Sequence, residues 1–199
     1  MKNTKIYITN TTPIGQSCLE WAQKNNYHGI IVDNMEECDI LISVFYNKVL
    51  SKEFITSKTK CFNFHGGILP YYRGSGTYNW AILNEEKETG VTLHEIDSGI
   101  DHGPIIEIRK FPIEKTDTSE DLFKKAGKIT FEMFKDWFDS LINMRFTTIP
   151  QDDSKAKIFS REDLQRAKDI TRFARSFHVP GYEQAYYYNR SGKKIYLKW

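Results

Sequence analysis

Over its first two thirds the chain alternates short β-branched and aromatic runs with stretches of helical periodicity. That alternation points to a parallel sheet covered by helices. The strand candidates are residues 5–9, 29–33, 39–45, 61–65, 91–96 and 104–111, and helical pattern falls at 15–24, 50–55, 78–84 and 119–143. In the last of these, Leu122, Ala126, Ile129, Phe131, Phe134, Trp137, Phe138 and Leu141 recur near the 3.6-residue period. Thr118 or Ser119, with Glu120 and Asp121 behind it, supplies an N-cap and a negative first turn.

The expected fold is therefore α/β, a Rossmann-like, mostly parallel sheet flanked by helices. One spacing is awkward. Candidates 29–33 and 39–45 are separated by five residues, whereas a parallel crossover with a helix needs roughly 10–12. Either the link is a bare turn past the sheet, or one of the two is not a strand. After Pro150 the pattern changes to a polar stretch and a shorter helix over 161–177. A tyrosine-rich end follows, in which 185–188 and 194–198 flank Asn189-Arg190-Ser191-Gly192, the pattern of a β-hairpin turning at Ser-Gly. We expect a main domain over 1–150 and a C-terminal helix and β-hairpin extension over 151–199.

Charge and cysteine content exclude several classes. The 28 Lys and Arg against 26 Asp and Glu leave a formal charge of +2. No long run of one sign suggests a nucleic-acid or membrane surface. Cys18, Cys38 and Cys61 are widely spaced, odd in number and without a CxxC pair, which argues against a disulfide framework or a zinc site. The apolar stretch near the start is too short for a signal-peptide core or a membrane span, so a cytoplasmic protein is expected.

The chemistry concentrates in Phe62-Asn63-Phe64-His65-Gly66-Gly67-Ile68-Leu69-Pro70. Residues two apart on a strand share a face, so Asn63 and His65 point one way and Phe62 and Phe64 the other. The strand opens into a glycine-rich loop, Arg73-Gly74-Ser75-Gly76, at the carboxyl edge of the sheet, where open α/β sheets place their sites. An amide donor beside an imidazole is a sensible binder of an oxyanion. The loop Asp97-Ser98-Gly99-Ile100-Asp101-His102-Gly103-Pro104 adds two carboxylates between strands. Taken singly, these residues have ordinary structural readings: Asn63 as a turn or cap residue, His65 as a core histidine, Asp101 as an Asx turn. His94 and His102 keep such readings.

Together, Asn-x-His followed by Leu-Pro, then Gly-Val-Thr-Leu-His, then Asp-x-Gly-x-Asp-x-Gly-Pro resemble the folate-dependent formyltransferases over roughly residues 39–113. The resemblance implies Asn63, His65 and Asp101 as the catalytic core and 10-formyltetrahydrofolate as co-substrate, with no metal. Asn63 and protonated His65 would stabilise the charge of a tetrahedral intermediate, while Asp101 would pair with His65 and help carry away the amine proton. It further implies folate contacts from Lys48, Val49 and Leu50, in the turn that receives the pteridine ring, and from Asp97. Sixty-two residues precede Asn63, fewer than in relatives, and a strand-helix unit of the family is expected to be missing.

The acceptor is read from what surrounds that core. About fifty residues after Pro150 cannot supply the β-barrel of methionyl-tRNA enzymes. Gly66-Gly67 stands where the glycinamide ribonucleotide enzymes carry Pro-Ser. The stretch Tyr72 to Asn84 resembles instead the enzymes that formylate a nucleotide-linked amino-deoxysugar, of the kind used in lipopolysaccharide O-antigen biosynthesis. On that resemblance Arg73 would pair with the diphosphate, and Tyr78 or Trp80 would stack on sugar or base, although helix core is the plainer reading of Trp80. Tyr182 would contact the nucleotide or a second subunit, and the apolar long helix and aromatic tail fit a homodimer. The alternatives are a glycinamide ribonucleotide formyltransferase, a 10-formyltetrahydrofolate hydrolase using the same three residues, and a non-catalytic nucleotide-sugar binding module.

Overall fold

The structure is a computed structural model that describes residues 4–58, 60–160, 170–188 and 194–197. In chain order its elements are β1 (Ile6–Ile8), α1 (Pro13–Ala22), β2 (Ile40–Val44), α2 (Lys52–Ser57), β3 (Lys60–Gly66), β4 (Arg73–Gly74) and α3 (Thr77–Leu83). Then follow β5 (Glu88–Glu95), β6 (Ile105–Pro112), α4 (Ser119–Ile142), β7 (Ile158–Phe159), α5 (Ile170–Ser176), β8 (Tyr186–Tyr188) and β9 (Lys194–Tyr196).

The main sheet has the order β1-β2-β3-β5-β6. β1, β2 and β3 are parallel, and β5 runs antiparallel to both β3 and β6, so only β5 is reversed among these strands. This is the expected mostly parallel α/β sheet. The awkward spacing resolves against 29–33: that segment makes only an isolated bridge, Ile31 to Ile6, outside β1. A single 3-10 turn, Met35–Glu37, then returns the chain to β2. With so few residues between bridge and β2, no covering helix can form, and the segment stays a bare edge contact.

Both faces of the sheet are covered, as a parallel strand pattern requires. Alternate residues Ile40, Ile42 and Val44 of β2 and Phe62 and Phe64 of β3 pack with Phe134, Phe138 and Leu141 of α4 and Cys18 and Ala22 of α1. Burying each of the larger side chains contributes about 1.5–3 kcal/mol. Leu41 and Cys61 face the other way, against Leu50 and Phe54. Asn63 and His65 therefore lie on the face away from α1 and α4.

Helix α4 is capped by Thr118, whose hydroxyl accepts from Asp121 N while the Asp121 carboxylate accepts from Thr118 N, a reciprocal box that satisfies two orphan donors. Helix α2 starts two residues later than its apolar pattern suggests, because Ser51 caps it by accepting from Phe54 N at 3.1 Å. At the carboxyl end, α5 packs on α3, and β8 pairs antiparallel with β9 as the expected hairpin strands. The helix expected over 161–177 is described only as α5, with 161–169 outside the described residues. The expected turn at 189–192 and the strand end at Lys198 also lie outside them. No helix among the described residues is long and apolar enough to cross a membrane.

Candidate active site

Strand β3 carries Asn63 and His65 to its carboxyl end, and the loop between β5 and β6 brings Asp101 beside them. Nδ1 of His65 is 3.5 Å from Oδ2 of Asp101, and Nε2 of His65 donates to the Tyr72 carbonyl at 2.6 Å. Asn63 Oδ1 accepts from the Ser43 hydroxyl at 2.7 Å, which turns its Nδ2 toward Asp101 Oδ1 at 3.5 Å and His94 Nε2 at 3.2 Å. The Gly74 amide donates to Asp101 Oδ2 at 2.8 Å. Asp101 holds φ +46°, a left-handed conformation uncommon outside glycine.

His94 is the residue that sequence reading missed. Antiparallel pairing sets it directly opposite Asn63, and its Nε2 is 3.7 Å from Asp101 Oδ1. Its Nδ1 meets the Glu95 carbonyl at 2.6 Å, so Nδ1 carries the hydrogen and the neutral ring presents a bare Nε2 to the Asn63 amide. Burial pushes the His94 imidazole down to about 4, with the His65 charge acting the same way and Asp101 opposing it. The available signal was the Thr-x-His alternation of β5, which becomes informative only once its register with β3 is known.

A cavity of about 500 Å³ opens beside this group, lined by Asn63, His94 and Asp101. Lys48, Val49, Leu50 and Asp97, the expected folate contacts, line the same cavity. Asp97 also accepts from His102 Nδ1 at 2.6 Å, and that hydrogen bond raises the proton affinity of the exposed His102 ring. Nε2 of His102 reaches Asp153 at 3.3 Å. Among the described residues, no three His, Cys, Asp or Glu side chains form a group that could hold a metal.

The residues expected to bind an acceptor are dispersed. Arg73 is 5% exposed, and its guanidinium is bound to Gln151 and Asp153 rather than open to a diphosphate. Tyr78 is 1% exposed, donates to the Gly90 carbonyl at 3.1 Å and packs on Phe111 and Phe123, so it is core rather than a stacking platform. Trp80 donates to the Ser160 carbonyl at 3.0 Å and lies 5.1 Å from the Phe159 ring, a packing role that matches its plainer reading. Tyr182 is 54% exposed and lines a separate groove of about 850 Å³ between α1 and α4.

The family model described as formyl transferase matches residues 10–135. The bifunctional polymyxin resistance protein ArnA of Wigglesworthia glossinidia brevipalpis is 47% identical over 88 residues, 44% of this chain and 14% of that protein. A methionyl-tRNA formyltransferase of Synechococcus is 35% identical over 144 residues, 70% of this chain and 44% of that one. The chain thus spans less than half the length of these curated relatives. Among solved structures, the N-formyltransferase from Helicobacter canadensis in complex with folinic acid and dTDP-3-aminofucose is 27% identical. Its TM-score is 0.75, and the match covers 87% of this chain and 80% of that one.

Proposed function

Because the chain belongs to the formyl transferase family, we propose that it is an N-formyltransferase acting from 10-formyltetrahydrofolate on the amine of a nucleotide-linked amino-deoxysugar. The observation that carries the reading is the meeting of Asn63, His65 and Asp101 beside a cavity that also collects Lys48, Val49, Leu50 and Asp97. The Helicobacter canadensis enzyme, whose complex holds a nucleotide amino sugar and a folate, supports this choice of acceptor.

The folate would supply an activated formyl carbon; the chain's own groups would do the rest. Asn63 Nδ2 would face the oxygen on which negative charge develops, where one such donor is commonly worth about 3–4 kcal/mol of barrier. His65, whose Nε2 is given to the Tyr72 carbonyl and whose Nδ1 faces Asp101, would act through that carboxylate rather than on the oxygen itself. Asp101, an acceptor-only carboxylate when ionised, would take the proton that the attacking amine gives up and return it to the folate nitrogen released when its bond to the formyl carbon breaks. Neutral His94 would fix the Asn63 amide by accepting one of its hydrogens. Backbone and side chains of Lys48 to Leu50 would seat the flat heterocycle against the apolar side of the cavity.

The test is formyl transfer from 10-formyltetrahydrofolate to a panel of nucleotide-linked amino sugars, run beside Asp101→Asn and an amine-free control. Amine-dependent turnover that Asp101→Asn lowers by roughly a hundred- to ten-thousandfold supports the reading. Formate release without any amine replaces it with a hydrolase, and failure to bind folate replaces it with a binding module.

A further inference from the structure

Arg73 and Gln151 lie outside the cavity lining, yet between them they grip the loop that carries Asp101. Gln151 Oε1 accepts from Arg73 Nε at 3.1 Å and from Nη2 at 2.9 Å. A guanidinium only donates, so this pairing settles which end of the amide faces it. The amide nitrogen is thereby turned to the loop, where it donates to the carbonyls of Asp101 at 2.9 Å and Gly103 at 2.7 Å.

Arg73 is itself anchored. Its Nη2 meets Asp153 Oδ1 at 2.7 Å, its backbone amide donates to the Lys157 carbonyl at 2.9 Å, and β4 pairs with β7. The next residue, Gly74, donates its amide to the Asp101 carboxylate. Main chain and side chain of Asp101 are thus both held from one two-residue strand and the amide it orients. A non-glycine residue persists at positive φ only where its surroundings over-determine it, and these contacts do so for Asp101.

We propose that Arg73 and Gln151 are positioning residues, a guanidinium–amide relay that keeps Asp101 in its left-handed conformation with its carboxylate against His65 and Asn63. This rests on the role given to Asp101 in formyl transfer. The plainer rival is that the pair only docks residues 151–159 onto β4 and adds stability.

The experiment compares the full-length wild-type chain with Gln151→Leu and Gln151→Glu, reading the backbone amide resonance of Gly74 and formyl-transfer kinetics. The glutamate variant keeps the shape and the contact to Arg73 but removes the donors to the loop. It therefore serves even where the leucine variant fails to fold. In both variants we expect the Gly74 amide to move upfield and exchange faster with solvent, because its carboxylate partner has moved, while amides of β2 and β3 stay in place. kcat should fall roughly a hundredfold, the scale of a misplacement of about 1 Å, with the acceptor KM little changed. Arg73→Lys, which keeps the charge but not the fork, should give an intermediate loss. A lower melting temperature with the native Gly74 resonance and kcat intact overturns the proposal, as does a shifted resonance with full kcat. The resonance needs no substrate. A wild-type chain that transfers no formyl group therefore overturns the function reading, and the Gly74 resonance alone then decides whether the relay holds Asp101.

Discussion

His65 is held at both ends of its ring: Nδ1 stands 3.5 Å from Asp101 Oδ2, and Nε2 donates to the Tyr72 carbonyl at 2.6 Å. A carbonyl only accepts, so Nε2 carries a hydrogen and Nδ1 is the nitrogen left to answer the carboxylate. With both nitrogens engaged, the ring is placed to steady the Asp101 carboxylate through the reaction, not to grip a resting ligand.

His65→Ala should therefore lower turnover by roughly a hundred- to a thousandfold while folate affinity is retained. Steady-state kinetics beside a folate-binding titration check this. Parallel loss of affinity and rate would contradict the assignment.

Gly74 adopts φ +91°, and a Cβ there would meet the Phe159 carbonyl oxygen at 2.2 Å. Gly74→Ala is expected to cost about 2–4 kcal/mol, a fall in Tm of roughly 5–15 °C for a chain of this size. Activity should drop further than stability explains, since the amide that meets Asp101 must shift. An unchanged thermal melt would show that β4 and β7 can separate without penalty.

Burial lowers the His94 pKa to about 4 from an ordinary value of 6.5. Between those values the unfolded chain takes up a proton that the native ring refuses. The stabilisation from neutral His94 is complete above about pH 6.5 and is lost as pH falls toward 4. The groups acting on this ring are His65, Asn63, Asp101 and the Glu95 carbonyl, with the Asp97 charge added from the loop. His94→Gln preserves an acceptor for Asn63 and removes the titration. Urea unfolding at a series of pH values should show the wild type losing of order 3 kcal/mol more than the variant over this window. Parallel pH curves would place the loss elsewhere.

Tyr78→Phe removes a buried hydroxyl bonded to the Gly90 carbonyl and should cost about 1–2 kcal/mol of stability. The KM for an acceptor should not move, because the ring is enclosed between Phe111 and Phe123. A raised KM at unchanged stability would return Tyr78 to the acceptor site.

The division between Phe62 and Phe64 on one face and Asn63 and His65 on the other was legible because strand side chains alternate with period two. Helix α4 was legible for the same kind of reason, an unbroken 3.6-residue stripe behind a capping threonine. The segment 29–33 misled because an apolar β-branched run describes what a strand prefers, not how far its pairing extends, and here it stops at the single bridge from Ile31 to Ile6.

His94 and Arg73 show where local pattern ends. His94 joins the site only through its antiparallel register with Asn63, and a slip of one residue would send its ring to the opposite face. Arg73 beside a glycine-rich turn has the composition of an anion binder, but its partner Gln151 lies 78 positions away. By itself the sequence determined the α/β alternation, the long capped helix and the face shared by Asn63 and His65, because each depends on residues within a few turns of chain. Only the tertiary structure decided that His94 lies beside Asn63 and Asp101, that Tyr78 is core and that Arg73 is buried. Those outcomes depend on which distant donors and acceptors packing brings together, and on the cost of leaving any of them unpaired once water is excluded.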